Sequence, residues 1–437
     1  MVSGRGLALH ALATLMREPD ARLRELLENR GTDRREFAFA FELTHGVLRR
    51  LRLLDHVLEG LAHRGLPKDP ALRTALRLGA YQLLFVGGMP AHAAVHETVA
   101  MVRANKGFAN ALLRRIAALV HLREADPAKP RDELPLGPTR TLELPRPLPA
   151  DEAARLAVVH SLPDFLVQRW GERYGLAALR QIAIAASAVP PVHLRTAADV
   201  ERATLQAELA AAGVDVEPAA HARLLRWRGG ESPFGTAPYR VGRFLVQDPT
   251  ALAAAEALPL RAGDTVIDLC AAPGTKTTLL AERVRPNGRV FAHDVDANRL
   301  ERVRDNVERL RLQSLVQVVD ATAGLPLADA VLADVPCSNT GVLGRRIEVR
   351  TRLEHETFTE LPSLQRQLLA QAIALTRCGG LVLYSTCSIE LEENGDVVAA
   401  VLADPATPRC TQLGSELTLP HAGVRDGGYW CLLRRDG

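Results

Sequence analysis

From Gln247 to the C-terminus, short apolar segments alternate with helical ones, and no other feature of the chain restricts its fold as much. The strand-like segments are Thr265–Cys270, Arg289–Val295, Ser314–Asp320, Ala330–Pro336 and Gly380–Cys387. The stretches between them include helical Ala297–Leu310 and Leu361–Thr376. Alternation of this kind implies a parallel sheet with helices on both faces, whose ligands meet the carboxyl ends of the strands. Residues 241–437 are therefore expected to form one α/β domain with its functional residues at strand ends.

The first third reads differently. Leu23, Leu26 and Leu27 recur at helical spacing, as do Leu51, Leu54, Leu58 and Leu61, while Arg49, Arg50 and Arg52 fall largely on other faces. This pattern predicts an all-α bundle over residues 1–126. Residues 1–125 hold nineteen Lys and Arg against twelve Asp and Glu, a net +7, which leaves −4 for the remainder of a chain of net charge +3. A basic module suits nucleic-acid phosphates, although a solvated helical surface gives the same count. Seven prolines between Pro127 and Pro149 predict an extended linker over 127–150. Beyond it, helical Asp164–Ala186, a strand at Val192–Thr196 and helical Val200–Ala212 predict a small α/β unit over 151–240. Three domains are expected in all.

No apolar run approaches the roughly 18 to 20 residues that span a bilayer. Nor does Met-Val-Ser-Gly-Arg lead into an uninterrupted apolar signal core, so a cytoplasmic protein without membrane contact is expected. The six cysteines, Cys270, Cys337, Cys378, Cys387, Cys410 and Cys431, include no CxxC pair and have no nearby His at ligand spacing. Neither a metal site nor a disulfide framework is expected.

The strand ends carry the chemistry. Asp268-Leu-Cys-Ala-Ala-Pro-Gly-Thr-Lys-Thr277 follows a strand and opens a helix, a turn of small residues that lets backbone approach a ligand closely. It is neither a P-loop, because Thr275 and Cys270 stand where glycines are required, nor a dinucleotide fingerprint, because Gly274 is alone. Asp294 ends the second strand, where a carboxylate can accept from both ribose hydroxyls of an adenosyl ligand, and Asp320 ends the third. Either Asp alone would read as a helix cap or turn residue; the set of three successive strand ends does not. The next two strands end in Asp334-Val-Pro-Cys337 and Thr386-Cys387. A single Cys at a strand end is usually a small buried hydrophobe. Two at neighbouring ends, with Asp334 three residues before one of them, suit a known remedy for the poor nucleophilicity of cytosine C5. A thiolate adds at C6 while a carboxyl group hydrogen-bonds N3.

These motifs resemble the bacterial 16S ribosomal RNA cytosine-5 methyltransferase B family, within the RNA 5-methylcytosine methyltransferases. The resemblance extends to Glu42-Leu-Thr-His-Gly-Val-Leu-Arg-Arg50, Leu76-Arg-Leu-Gly-Ala-Tyr-Gln-Leu-Leu84, Pro90-Ala-His-Ala-Ala-Val-His-Glu-Thr98 and Lys106-Gly-Phe-Ala-Asn-Ala-Leu-Leu-Arg114, which are similar to the NusB-like RNA-binding helical domain. It implies a Rossmann-like class I methyltransferase domain at the C-terminal end. It further implies that Cys270, Ala271, Ala272, Pro273, Gly274, Thr275, Lys276, Asp294, Asp320 and Asp334 bind S-adenosylmethionine. By the same resemblance Cys387 is the nucleophile, Cys337 is linked to proton removal and product release, and Asp334 touches both cofactor and base. Glu392-Glu-Asn394 matches the family's Pro-Glu-Glu-Asn with Leu391 in place of proline, and Thr275 stands where relatives carry glycine.

The implied partner is small-subunit ribosomal RNA, engaged by a monomer, with no DNA. The same chemistry on transfer or large-subunit RNA, and a non-catalytic RNA-binding or assembly factor, are the alternatives. DNA methylation is disfavoured because those enzymes use the Pro-Cys thiol as nucleophile. Arg345, Arg346, Arg350 and Arg352 give the loop after Cys337 a basic character suited to phosphates. Lys276 is a candidate to activate Cys387.

Overall fold

The computed structural model describes residues 3–27, 32–62 and 65–437; Met1 and Val2 of the N-terminal stretch lie outside them. The chain divides into two compact units, Met1–Ala188 with Leu343–Leu353, and Val189–Val342 with Glu354–Gly437.

The first unit begins with helices α1 (Gly4–Leu15), α2 (Leu23–Leu27), α3 (Arg34–Arg49), α4 (Leu51–Leu61), α5 (Pro70–Phe85), α6 (Ala91–Met101) and α7 (Lys106–Ala118). Their starts obey capping chemistry. Asp33 accepts the amides of Arg35 and Glu36 ahead of α3, and Asp69 caps α5 with Pro70 in the first turn, where its missing N–H costs nothing. Helix α5 is buried from Leu72 to Leu84 apart from Arg73, as an element surrounded by others must be. Gly46 lets α3 approach it: a Cβ there would lie 1.9 Å from Tyr81 Cζ. Tyr81 Oη in turn donates to Glu42 at 2.6 Å, so two of the NusB-like segments meet here.

The proline-rich segment is not a linker. Strands β1 (Val120–His121), β2 (Glu133–Gly137) and β3 (Arg140–Glu143) form a three-stranded antiparallel sheet in the order β1-β3-β2. Pro135 is tolerated because β2 is an edge strand, where a missing donor breaks no ladder. Leu142, Leu144 and Leu148 join the helical core.

Helices α8 (Glu152–Val159) and α9 (Asp164–Ser187) also belong to this unit. Val158 and Val159 pack on its core, and Arg52 pairs with both oxygens of Asp164 at 2.8 and 2.9 Å. The α/β unit expected over 151–240 is therefore divided between Ala188 and Val189. Gly175, at φ +77° and ψ 166°, breaks α9 into two helical pieces.

Of the four arginines expected to give the loop its basic character, Arg350 is corrected. Arg350 is only 5% exposed and donates to the carbonyls of His160 (3.0 Å), Ala186 and Leu343 (3.2 Å). It satisfies the orphan acceptors that end α8 and α9, so it cannot face a phosphate. Burial, reinforced by Arg49 and Arg50, pulls its guanidinium down to about 9.

The second unit opens with β4 (Val192–Thr196), α10 (Arg202–Ala211), β5 (Val214–Pro218), β6 (Leu224–Gly230), α11 (Ala237–Arg240) and β7 (Phe244–Val246). The strands form an antiparallel sheet, β5-β6-β4-β7. Its apolar core is continuous with that of the C-terminal α/β layer, Leu194, Leu225 and Phe244 clustering with Val266, Leu280 and Val290. A fully buried Arg195 reaches Thr278 Oγ1 at 3.0 Å and Glu282 at 3.5 Å.

Helix α12 (Pro249–Glu256) leads into the large sheet. Its elements are β8 (Thr265–Asp268), α13 (Thr275–Arg283), β9 (Arg289–His293), α14 (Ala297–Arg309), β10 (Val316–Val319), β11 (Ala328–Asp334), α15 (Thr357–Leu375), β12 (Thr376–Thr386), α16 (Gly395–Ala403), β13 (Cys410–Thr418) and β14 (Gly428–Arg435). The order is β10-β9-β8-β11-β12-β14-β13. The first five strands are parallel, as the alternation predicts. β14 runs antiparallel between β12 and β13, so the sheet is mixed rather than purely parallel. Strand order reverses between β8 and β11, which places the switch-point crevice beside the ends of these two strands.

Candidate active site

At the end of β8, Asp268 is 1% exposed. Its Oδ2 accepts from Thr277 Oγ1 at 2.6 Å, and its Oδ1 is buried without a partner. Burial, opposed by that hydrogen bond, pushes the carboxyl up to about 7. Next comes the turn of Cys270, Ala271, Ala272, Pro273 and Gly274. Gly274 sits at φ +97°, and a Cβ on it would lie 3.2 Å from Val303 Cα, so conformation and space both demand glycine. Thr275 is already the first residue of α13, where helical backbone accepts a side chain, so the departure at this position is accommodated one residue after the strained turn. Burial, with the nearby carboxylates of Asp268, Asp334 and Asp294, raises the Cys270 thiol.

Asp294, just beyond β9, is joined to this turn. Its Oδ2 accepts the Ala272 amide at 3.2 Å and pairs with Arg299 at 3.4 Å, while Oδ1 accepts the Asp296 amide at 3.1 Å. Asp320 is not brought in: its side chain is 86% exposed and faces Arg304 at 3.5 Å.

Across the switch point, Lys276 Nζ donates to Asp334 Oδ2 at 2.6 Å, and Ser385 Oγ donates to Asp334 Oδ1 at 2.7 Å. Burial pulls the Lys276 ammonium down, but Asp334 and Cys387 outweigh it and hold the group raised and charged. Its hydrogen bond goes to Asp334, so any activation of Cys387 acts through charge. The parallel register of β11 and β12 pairs Asp334 with Ser385, and the loops that leave the two strands carry the cysteines. Cys337 Sγ and Cys387 Sγ lie 2.9 Å apart. Cys387 Sγ also donates to Asn339 Oδ1 at 3.3 Å, while Asn339 Nδ2 donates to the Cys337 carbonyl at 2.7 Å. The contact with Cys387, together with burial, drives the Cys337 thiol well above its ordinary range. Cys337 therefore keeps its proton.

Sequence reasoning named the two cysteines, Asp334, the turn and Asp294, and the structure gathers these at adjacent strand ends. It assigned no role to Asp268, Ser385, Asn339 or Glu393. Each of the four lies within or beside one of the motifs, which was the available signal.

A buried carboxylate oxygen without a partner, a small-residue turn that opens a helix and a second carboxylate bound to that turn fit an adenosyl ligand with a cationic amino acid end. Among the described residues no cluster of three metal-ligating side chains occurs, and no helix is long and apolar enough to cross a membrane.

Comparison with known proteins agrees with this geometry. Residues 255–422 match the model of the 16S rRNA methyltransferase RsmB/F family, and residues 3–118 match that of the NusB family. A putative methyltransferase of Mycobacterium tuberculosis is 38% identical over 392 residues, covering 86% of this chain and 81% of the relative. The ribosomal RNA small subunit methyltransferase B of Thermus thermophilus is 32% identical over 418 residues, covering 92% and 89%. Among solved structures, a methyltransferase homolog protein from Pyrococcus horikoshii shares the fold at a TM-score of 0.57 and 22% identity, over 66% of this chain and 100% of that one. With a NusB-type helical domain ahead of a Rossmann-like methyltransferase domain, the chain belongs to the RsmB/F family of 16S rRNA methyltransferases.

Proposed function

We propose that this protein methylates C5 of a cytosine in 16S ribosomal RNA through a covalent bond from Cys387 to C6 of the base. The observation that carries the reading is the pair of sulfurs 2.9 Å apart at the ends of two adjacent parallel strands, beside a carboxylate clamped by Lys276 and Ser385.

S-adenosylmethionine, when bound, supplies the methyl group. Asp268, residues 270–276 and Asp294 would hold it, with Asp334 between it and the base; Asp320 would need to turn inward from solvent to take part. The Cys387 thiolate adds to C6 and electron density builds at C5. The proton that Cys387 gives up passes to Asp334, whose carboxyl group then orients the base by donating a hydrogen bond to N3. Once Cys387 is bonded to C6 its sulfur is neutral, and the interaction that held the proton on Cys337 is gone. Cys337 then gives its proton to solvent, and the thiolate, beside the adduct, takes the C5 proton. The electrons of the C5–H bond restore C5=C6 and expel Cys387 as thiolate. The target cytosine must be unstacked to reach Cys387, at a cost of about a few kcal/mol that is least in single-stranded loops. The basic helical domain of the first unit would grip the surrounding RNA.

The test uses wild type, Cys387→Ala and Cys337→Ala with S-adenosylmethionine and unmodified small-subunit RNA. Denaturing gels read protein–RNA adducts, and nucleoside mass spectrometry reads the product. Wild type should yield 5-methylcytidine, Cys387→Ala neither product nor adduct, and Cys337→Ala a trapped adduct. An adduct that survives loss of Cys387 and disappears with loss of Cys337 would reverse the roles. A methylated base other than cytosine would overturn the reading.

A further inference from the structure

Behind the two cysteines lies a carboxylate that the reaction above does not use. Glu393 is fully buried, in the short 3-10 turn Leu391–Glu393 between β12 and α16. Its Oε2 accepts the Ser338 amide at 2.8 Å and Gln365 Nε2 at 2.9 Å. Its Oε1 accepts Ser388 Oγ at 2.7 Å and also Ser338 Oγ. Ser338 follows Cys337 and Ser388 follows Cys387, so one carboxylate holds the residue next to each sulfur. Around it the ties multiply. The Ser338 and Ser388 hydroxyls are 3.1 Å apart, Thr340 Oγ1 lies 3.1 Å from Ser388 Oγ and accepts the Ile389 amide at 3.1 Å, and the Gly341 amide donates to the Cys387 carbonyl at 3.0 Å. Gln365 also donates to the Pro336 carbonyl at 2.9 Å, so α15 joins the same knot.

A buried charge is tolerated only when hydrogen bonds replace its lost hydration, and here the donors come from both cysteine loops. Loosening either loop would strip the carboxylate of part of its compensation, which makes the network cooperative. Attack at C6 needs one sulfur placed, whereas release needs both sulfurs placed on adjacent carbons of one base. The spacing of the pair is thus a property that only the second half of the cycle tests.

We propose that Glu393 is a positioning residue that sets the spacing of Cys337 and Cys387 and thereby decides whether the covalent adduct is released or trapped. This rests on the two-cysteine reading above. In the full-length chain, Glu393→Gln puts an amide donor where an acceptor is required and frees one loop from the other. Misplacement on the order of 1 Å slows a positioned step by about a hundredfold, and that loss should fall on release.

The experiment compares wild type, Cys337→Ala, Glu393→Gln and the milder Ser388→Ala, which keeps the carboxylate and removes one donor. Single-turnover methyl transfer, adduct fraction on denaturing gels, KM for S-adenosylmethionine and thermal unfolding are measured for each. Expected are an adduct fraction in Glu393→Gln that approaches that of Cys337→Ala, a smaller rise in Ser388→Ala, and an unchanged KM. Should Glu393→Gln fail to fold, the rise in Ser388→Ala decides alone. A proportional fall in all rates without adduct would mean that Glu393 only supports the fold, and the proposal would be wrong. If Cys337→Ala itself traps nothing, the two-cysteine reading fails first, and this inference with it.

Discussion

Replacing Asp268 by Asn should remove a pH dependence that the wild-type fold carries. The folded carboxyl keeps its proton up to about 7, because burial penalises its charge, whereas the ordinary value is 3.8. Between these limits the folded state binds more protons than the unfolded state, so stability falls as pH rises from about 4 to about 7 and levels off above. At 1.36 kcal/mol per pH unit the difference amounts to roughly 4 kcal/mol. Asn is close in shape, can still accept from Thr277 Oγ1 and does not titrate. The stability of Asp268→Asn relative to wild type should therefore increase by roughly 4 kcal/mol between about pH 4 and pH 8. Urea unfolding of both proteins at four or five pH values, without S-adenosylmethionine, measures it. A difference that does not change with pH would show that Asp268 is ionised in the resting fold, and the argument from its burial would collapse.

Three further outcomes are expected. Gly274→Ala forces a side chain into left-handed backbone at a cost of about 1–2 kcal/mol and presses on Val303, so calorimetric titration should show weakened S-adenosylmethionine binding. Glu282→Gln leaves the buried Arg195 without its counter-charge and should destabilise by about 3–5 kcal/mol in urea unfolding, much of it recovered by adding Arg195→Met; an additive double variant would refute the pairing. Arg350→Ala unsatisfies the carbonyls at the ends of α8 and α9 and should cost at least about 2 kcal/mol, yet leave the slope of RNA affinity against salt unchanged. A shallower slope would return Arg350 to the phosphates.

How much of the molecule was legible in advance depended on the range of the interactions. Strands β8 to β12 were located to within a few residues, because a buried parallel strand writes itself as a local apolar run. The motif turns were legible because a ligand loop needs its small residues consecutively. β13 is not legible because exposed positions dilute its apolar signal, whereas the apolar run Tyr429–Leu433 of β14 does mark a strand that the sequence reading leaves out. Arg350 is not legible because nothing local tells a guanidinium that caps carbonyls from one that awaits a phosphate. Asp320 and Glu393 illustrate the same limit in opposite directions, one an expected ligand left in solvent and the other a carboxylate without an assigned role, fully enclosed.

By itself the sequence determined the element types, the residues at each strand end and the chemistry those residues are capable of, because backbone periodicity and side-chain functional groups are local properties. Only the tertiary structure decided that two cysteines fifty positions apart touch, that Lys276 spends its charge on Asp334, that Glu393 ties both cysteine loops and that α8 and α9 fold with the helical unit. Each of these depends on which strands become neighbours and on what is shut away from water, and burial is settled by the whole chain at once.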